Sequence, residues 1–366
     1  MDDGSGRPST RHPSAGQPVL LNSGDMSDDN ALDDDEDVHS DASSDLVEVS
    51  EEDICDSFVT RDGRLFHSHG SLPYPLPADG LEQHVSHFFR TYLIWRLKVQ
   101  NEVLKALMGS ICPEMQLVRE VLASGTGRAL DLCTGTGQWV LDMASMFPNV
   151  KFIGVDIVPI QTRRPPRNAQ FEIADVTEPF RHLDGSFDLV HARCTAFSVS
   201  DHKYPIMLRE VVRVLRGGGL FISGEFKNYP AFPSRRAESA DPNVSCPSFH
   251  RFLMLTAQAL HRLGVRLNLF HKIPLLLEES GSFYGISRRS FQLPIGNRHP
   301  EESNRILGSQ AAEIFINFVK AMESFLRSSG IITREHLQEL MRGSIYELQH
   351  VNGLVMDYDV VCARKR

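Results

Sequence analysis

The feature that most constrains the fold is a short strand that runs into a glycine-containing turn and a helix, in the sequence ALDLCTGTGQW at residues 129–139. Around it, strand-like hydrophobic patterns alternate with the three- to four-residue spacing of helices. The predicted strands lie at 128–132, 150–157, 169–173, 187–192 and 220–226, and the predicted helices at 138–147 and 208–215. The second helix is expected to end at the glycines 217–219, because glycine commonly ends helices. Such units have right-handed crossovers and form a parallel sheet with helices on both faces. The sequence therefore predicts an α/β, Rossmann-like fold whose ligand site lies at the carboxyl ends of the strands.

The regular alternation stops after residue 226. The later patterns predict helices at 249–263 and 273–280, a strand at 286–294, a largely helical stretch at 300–345 and a last strand at 353–363. We therefore expect residues 126–226 to form the ligand-binding core and residues 227–366 to supply cap helices and the last core strands. Residues 61–125 are expected to form an N-terminal arm, rich in proline at 71–80, and helices.

The first sixty residues have a different composition from the rest. They contain 17 of the 47 acidic side chains and two of the 38 basic ones, without hydrophobic periodicity. Such a segment buries too little apolar surface to offset its chain entropy, which predicts a disordered acidic segment over 1–60. The remainder holds 30 acidic and 36 basic side chains, so the net charge of −9 describes the N-terminal segment and not the ligand site.

Several classes of protein are disfavoured by the sequence. The six cysteines are scattered without a C-x-x-C pair, which predicts no metal site and a reducing compartment, the cytoplasm or alternatively the nucleus. The chain has no secretion signal and no apolar run near about eighteen residues, so no membrane association is expected. One arginine cluster, at 163–167, is not the footprint of a nucleic-acid binder, and no nucleic-acid partner is expected.

The glycine turn distinguishes two kinds of ligand. A dinucleotide site requires a third glycine three residues after the second, where this chain has Val140. The strand before the turn carries Asp131, and a carboxylate repels pyrophosphate but accepts hydrogen bonds from an ammonium group. The predicted ligand therefore has a cationic amino-acid end and no phosphate, which describes S-adenosylmethionine.

Two further acids follow at the ends of the next strands. Asp156 lies 19 residues after Gly137, where its carboxylate could accept both ribose hydroxyls. Asp175 lies another 19 residues on, where it could accept from the adenine amino group. The predicted cofactor-binding residues are therefore Asp131, Gly135, Gly137, Asp156 and Asp175.

Catalytic residues are harder to predict. Methyl transfer from a sulfonium is a direct displacement that needs alignment and desolvation more than acid–base groups. A hydroxyl or amine acceptor would benefit from one base, and the candidates at the carboxyl edge are His191, Arg193 and Glu225. The alternative for each is a structural role, which is the commoner one for polar groups at strand ends.

Three segments resemble the fungal LaeA-like methyltransferases, which are class I S-adenosylmethionine methyltransferases. They are LPYPLPADGLEQ at 72–83, DLCTGTGQW at 131–139 and FIGVDIVPIQ at 152–161, and the ending VVCARK at 360–365 also fits. The resemblance implies a seven-stranded sheet with a reversed last strand, and it places the five predicted residues on the family's cofactor positions. Cys133 stands where the family usually has the first glycine of the turn. A cysteine is tolerable at this position if its backbone angle is an ordinary one. With a left-handed angle, we expect the cysteine to lower the affinity for the cofactor.

The resemblance implies a role in fungal secondary metabolism and leaves two functions open. One is methylation of an oxygen or nitrogen of a small, largely apolar molecule, with residues 72–108 and 227–345 covering the site. The other is a nuclear regulator that acts through protein partners, with the acidic segment as an interaction region. A third function, nicotinamide-dependent reduction, is disfavoured by Val140 and Asp131.

Overall fold

The computed structural model describes residues 19–20, 47–48, 56–61, 64–68, 74–77, 89–123, 125–232, 241–299 and 301–366. The predicted disorder of 1–60 falls largely outside these ranges. At 19–20 and 47–48 this segment forms two-residue strands, β1 (Val19–Leu20) and β2 (Val47–Glu48). A hairpin of β3 (Phe58–Arg61) and β4 (Arg64–His67) follows, so regular structure at the start of the predicted arm begins before residue 61.

The remaining seven strands form one large sheet together with β1 and β2. They are β5 (Arg128–Leu132), β6 (Lys151–Asp156), β7 (Ala169–Ile173), β8 (Phe187–Arg193), β9 (Leu215–Ala231), β10 (Phe283–Pro294) and β11 (Val355–Lys365). The order is β10-β11-β9-β8-β5-β6-β7-β1-β2. Strands β5 to β9 pair in parallel, whereas β11 runs antiparallel to both β9 and β10. The α/β fold with a mostly parallel seven-stranded core and a reversed last strand is confirmed, and β1 and β2 extend it beyond β7.

Helices cover both faces of this sheet and form a cap. They are α1 (Phe89–Met108), α2 (Met115–Val121), α3 (Gln138–Met146), α4 (Tyr204–Val214), α5 (Pro242–Ser245), α6 (Pro247–His261), α7 (Leu269–Glu279), α8 (Glu302–Ala321), α9 (Glu323–Ser328) and α10 (Arg334–His350). One face of the sheet packs on α1, α2 and α3, and the other on α4 and α7. Helices α6, α8, α9 and α10 share a separate core, which forms the cap. No helix in the described ranges is both long enough and apolar enough to cross a membrane.

The glycines after α4 act differently from the prediction. Helix α4 begins earlier than predicted because Pro205 suits a first helical turn, and it ends at Val214. The glycines at 217–219 lie inside β9, where the pairing with β8 shifts in register between Phe187 and Leu189. They therefore form a bulge in the strand and not a helix cap. Strand β9 also continues to Ala231, past the boundary predicted after residue 226.

A close approach between β9 and β11 explains a glycine in the middle of the sheet. A Cβ atom on Gly224 would lie 2.0 Å from the hydroxyl oxygen of Tyr358, whose side chain is buried. The ring lies where any other residue would place its side chain, so this crossing requires glycine.

We expect Gly224→Ala to lower the free energy of unfolding by roughly 1–3 kcal/mol, because the added methyl group overpacks the site. Urea denaturation measures the change. Gly217→Ala in the same strand is the matched control, since its Cβ would approach no atom closer than 3.8 Å. Equal stability of the two variants would show that the Tyr358 contact does not constrain the sheet.

Candidate active site

The carboxyl ends of β5 to β9 open into one cleft, covered by the cap, α1 and the arm. Its empty space, with the open mouth included, is about 1940 Å³. Of the residues predicted from sequence, the cleft is lined by Asp131, Gly135, Asp156, Asp175, Arg193 and Glu225. Gly137 and His191 do not line it.

The turn after β5 is held to the end of β6 by Asp156. The backbone N–H of Gly135 donates to Oδ2 of Asp156 at 2.7 Å, and the N–H of Val158 donates to Oδ1 at 3.1 Å. The buried side-chain amide of Gln161 donates to the carbonyl oxygen of Gly135 at 2.6 Å. In the sequence, Gln161 is only the last residue of the segment 152–161 that resembles the family, and no role was predicted for it. Its amide fixes the same glycine that Asp156 holds.

Two glycines of the turn have left-handed backbone angles, with φ of 58° at Gly135 and 75° at Gly137. A Cβ on Gly137 would also lie 2.3 Å from the ring of Phe171. Gly137 is therefore needed for the shape of the turn rather than for ligand contact. Cys133 has a left-handed backbone angle, with a φ of 55°. The condition under which a cysteine would replace the family's glycine without cost, an ordinary backbone angle, is therefore not met. A non-glycine residue in this conformation stores about 1–2 kcal/mol of strain next to the cleft.

Asp131 is bound on both sides by polar neighbours. The Thr134 hydroxyl donates to Oδ2 at 2.6 Å, and Nδ1 of His191 lies 2.7 Å from Oδ1. The His191 ring is stacked on Trp139 with centroids 4.1 Å apart. Burial lowers the pKa of His191, against the effect of Asp131. A neutral His191 that donates to Asp131 and lies outside the cleft positions this carboxylate, which favours its structural role over a catalytic one.

Asp175 presents a free carboxylate oxygen at the cleft. The N–H and the hydroxyl of Thr177 both donate to Oδ1 of Asp175, at 2.8 and 2.7 Å. Within the described ranges no donor occupies Oδ2, which is left for a ligand. The carboxylate is thus oriented before any ligand binds.

Glu225, near the end of the cleft-facing part of β9, is a buried carboxyl. Its Oε1 accepts from the N–H and the hydroxyl of Thr195, at 2.6 and 2.7 Å. Burial raises the pKa of Glu225 to about 7, against the effect of these donors. The side chain is 3% exposed and borders the cleft, so it is a carboxyl that changes charge near neutral pH beside the ligand space.

Cap residues and residues near the strand ends together form an apolar wall of the cleft. Phe226 packs edge-on against Phe315 with ring centroids 6.0 Å apart, and Phe197 packs against Phe318 at 5.7 Å. Leu253, Leu267, Ile314 and Met356 complete the wall. Their convergence depends on how the cap helices pack, which no local sequence pattern predicts.

Comparison with known proteins agrees with this geometry. A family described as "Methyltransferase domain" matches residues 129–219. The chain is 28% identical to the secondary metabolism regulator laeA of Aspergillus flavus over 249 residues, which is 68% of this chain and 61% of that protein. It is 27% identical to the methyltransferase pytC of Aspergillus terreus over 274 residues, which is 73% of this chain and 74% of that protein.

Solved structures show a more distant likeness. Phosphoethanolamine N-methyltransferase 2 of Haemonchus contortus, in complex with S-adenosyl-L-methionine, is 16% identical with a TM-score of 0.40. The match covers 74% of this chain and 57% of that one. The match to three laeA regulators covers 61%, 48% and 43% of their length, so the chain spans about half of these relatives.

The strand order, the glycine turn and the acids at the strand ends agree with the match at 129–219, and this part of the chain is a methyltransferase domain. Over about two thirds of its length the chain is similar to the laeA and pytC proteins. In the described residues no group of three or more His, Cys, Asp or Glu side chains is arranged to hold a metal ion.

We expect Asp156→Asn to weaken binding of S-adenosylhomocysteine by about 10- to 100-fold, because a charged acceptor of two hydrogen bonds is lost. Calorimetric titration measures the affinity. Asp184→Asn is the control, because this carboxylate is exposed and pairs with Arg213 away from the cleft. An affinity for the Asp156 variant within twofold of the unchanged protein would remove Asp156 from the binding site.

The pH dependence of binding should follow Asp156. Burial raises its pKa from 3.8 to about 6, against its backbone donors and helped by Asp131. Because the folded pKa is the higher one, its contribution to ligand-free stability is complete below about 4 and is lost as pH rises through about 6. Cofactor binding needs the ionised form, so affinity should fall as pH drops from 7 to 5.

Calorimetric titration with S-adenosylhomocysteine across this range measures the effect. The Asp156→Asn variant should show a flatter profile. An affinity of the unchanged protein that is the same at pH 5 and pH 7 would contradict the assignment.

Proposed function

We propose that this domain transfers the methyl group of S-adenosylmethionine to an oxygen or nitrogen of a small, largely apolar molecule of fungal secondary metabolism. The observation that carries the proposal is that carboxylates and an apolar wall line one cleft. The carboxylates suit a cationic nucleoside without phosphates, and the wall suits an apolar partner. The names of the laeA and pytC relatives support the metabolic setting.

The strand-end acids are assigned to parts of the cofactor by their chemistry. Asp131 accepts from the ammonium group of the amino-acid end, Asp156 from the ribose hydroxyls and Asp175 from the adenine amino group. Each carboxylate is already oriented by neighbouring donors, so little ordering is needed when the cofactor binds.

The apolar wall is assigned to the methyl acceptor. Phe226, Phe315 and Phe318 offer aromatic faces and edges on which a planar apolar molecule packs well. Because the wall also excludes water, it favours a reaction in which the charge of the sulfonium is lost.

Glu225 is assigned as the base. When bound, the cofactor would supply a methyl group activated by its sulfonium sulfur, and that sulfur would keep the C–S electron pair as the methyl group passes to the acceptor lone pair. The ionised Glu225 would take the acceptor proton. A carboxyl with a pKa of about 7 is well matched to this task at neutral pH. Arg193 and His191 are not assigned as bases, because the first is a cation and the second lies outside the cleft.

A second candidate is a regulator that binds the cofactor and acts through protein partners in the nucleus. The names of the laeA relatives favour it, and the 17 acidic residues of the segment 1–60 offer a charged interaction region. The two candidates share the cofactor site and differ in the molecule that receives the methyl group.

Transfer of a labelled methyl group distinguishes the candidates. With labelled S-adenosylmethionine and a fungal extract separated into metabolites and proteins, we expect label in an apolar metabolite, and none with Asp156→Asn. Label found only on protein would contradict the small-molecule proposal. If deletion of residues 1–60 left metabolite labelling intact and removed a stable protein complex, a regulatory role would be added to the catalytic one.

A further inference from the structure

Strand β9 has a bulge where it borders the cleft. In its pairing with β11, the residues 227–229 of β9 lie opposite the single residue Asp357. A bulge redirects side chains that regular pairing would hold in the sheet, and bulges are common next to active sites. The first two bulged residues, Lys227 and Asn228, line the cleft. The bulge therefore brings a cation to the wall of the ligand space.

Asp357 holds the ammonium group of Lys227 from behind. Nζ of Lys227 donates to Oδ2 of Asp357 at 2.7 Å, and Gln292 donates to Oδ1 at 3.3 Å. Asp357 itself does not line the cleft. The Lys227 side chain is 15% exposed, and within the described ranges Asp357 is the only hydrogen-bond partner of its ammonium group. Because an ammonium group has three donors, donors are left for a ligand in the cleft.

The surrounding charges keep Lys227 protonated. Burial lowers the pKa of its ammonium group, but Asp357, Asp359 and Tyr229 outweigh burial, so the pKa lies above its ordinary value. The carboxylate of Asp359 is also paired with Arg288. The two lysine and arginine charges and the two aspartate charges of this cluster balance. Lys227 is therefore a fixed cation and not a group that exchanges protons during the reaction.

The predicted base lies next to this cation. Glu225 precedes Lys227 by two residues and also lines the cleft. Strand residues rise about 3.4 Å each, so the two Cα atoms lie at most about 7 Å apart. The ring of Phe226 packs edge-on against Phe315 in the apolar wall. A carboxyl group that accepts a proton, an ammonium group that donates hydrogen bonds and an aromatic surface thus border the same part of the cleft.

We infer that the methyl acceptor is a planar molecule whose reacting group is an enol or phenol hydroxyl next to a conjugated carbonyl group, and that Lys227 determines this specificity by donating to the carbonyl oxygen. The inference rests on the proposed function and gives it a class of substrate. Donation to the carbonyl oxygen stabilises the negative charge that develops on the conjugated hydroxyl oxygen. A positively charged amine would be repelled by Lys227, which favours oxygen over nitrogen as the methylated atom.

The methylation of such an acceptor balances in atoms and electrons. The acceptor hydroxyl gives its proton to the ionised Glu225 while its oxygen lone pair forms a bond to the methyl carbon, and the electron pair of the broken C–S bond goes to sulfur. The products are a methyl ether, a neutral thioether and a protonated Glu225. Lys227 keeps its proton and its contact with Asp357 throughout.

The test compares two isomeric probes that bind to the full chain saturated with S-adenosylhomocysteine. In ortho-hydroxyacetophenone the hydroxyl lies next to the carbonyl group, and in para-hydroxyacetophenone it lies across the ring. We expect Lys227→Met to weaken binding of the ortho isomer by about 10-fold and binding of the para isomer by less than about twofold. Only the ortho isomer can place its hydroxyl at Glu225 and its carbonyl oxygen at Lys227 together. Ligand-observed NMR titration measures both affinities.

Two further variants serve as controls. Lys227→Arg keeps the charge and the donors and should retain the preference for the ortho isomer. Lys272→Met removes another lysine that is paired with a carboxylate, that of Asp201, but that does not line the cleft. It should leave both affinities unchanged.

A last variant separates binding from folding. Lys227→Met leaves Asp357 without its cation, so the double variant Lys227→Met with Asp357→Asn, which removes both charges, is titrated as well, and the thermal midpoint of each variant is measured. An equal loss for the two isomers that follows the drop in thermal midpoint would show an ion pair that only supports the fold, and would overturn the inference. Equal binding of the two isomers, or no binding of either, by the unchanged protein would overturn it too.

The natural acceptor gives the second readout and separates the two proposals. The metabolite labelled in the fungal extract is purified, and NMR locates its new methyl group. We expect this group on an oxygen next to a conjugated carbonyl. A methyl group on nitrogen, or on an oxygen without such a carbonyl, overturns the inference and leaves the proposed function standing. If no metabolite is labelled, the proposed function fails as well.

Discussion

The active site depends on one contact, the hydrogen bond from the backbone of Gly135 to the carboxylate of Asp156. It joins the turn after the central strand β5 to the end of its neighbour β6, so two segments adjacent in the sheet are fixed relative to each other. The turn can follow this path because its glycines accept left-handed backbone angles. The cost is that a carboxyl is buried, and this burial raises the pKa of Asp156 to about 6.

The other charged side chains of the cleft form two groups, carboxylates with donors and arginines with neutral partners. The carboxylates of Asp131, Asp175 and Glu225 are each held by hydroxyl, imidazole or backbone donors. Arg96 and Arg193 have only neutral partners among the described residues. Several oriented acceptors around one cleft are matched to a ligand that offers an ammonium group and the hydroxyl and amino donors of a nucleoside.

Local patterns were sufficient for much of this architecture. The strands β5 to β8, and the acids near the ends of β5, β6 and β7, were predicted because a buried parallel strand and the polar residue at its end are adjacent in sequence. The family resemblance added the reversed last strand. The glycines at 217–219 were misread as a helix end, because a glycine run looks the same whether it caps a helix or forms a bulge.

Features that depend on tertiary packing could not be predicted. The stacking of His191 on Trp139 and the contact of Gln161 with Gly135 join residues of different elements. Arg96 was not predicted as a site residue, because a lone arginine on an amphipathic helix is usually exposed to solvent. It is buried by the packing of α1 over the strand ends. The apolar wall likewise arises from cap helices distant in sequence.

A crystal structure of the protein in complex with S-adenosylhomocysteine tests the central claim most directly. The account predicts the nucleoside in the cleft beside Gly135, with the ribose hydroxyls on Asp156 and the adenine amino group near Asp175. A ligand bound elsewhere, or with its ribose away from Asp156, would contradict it.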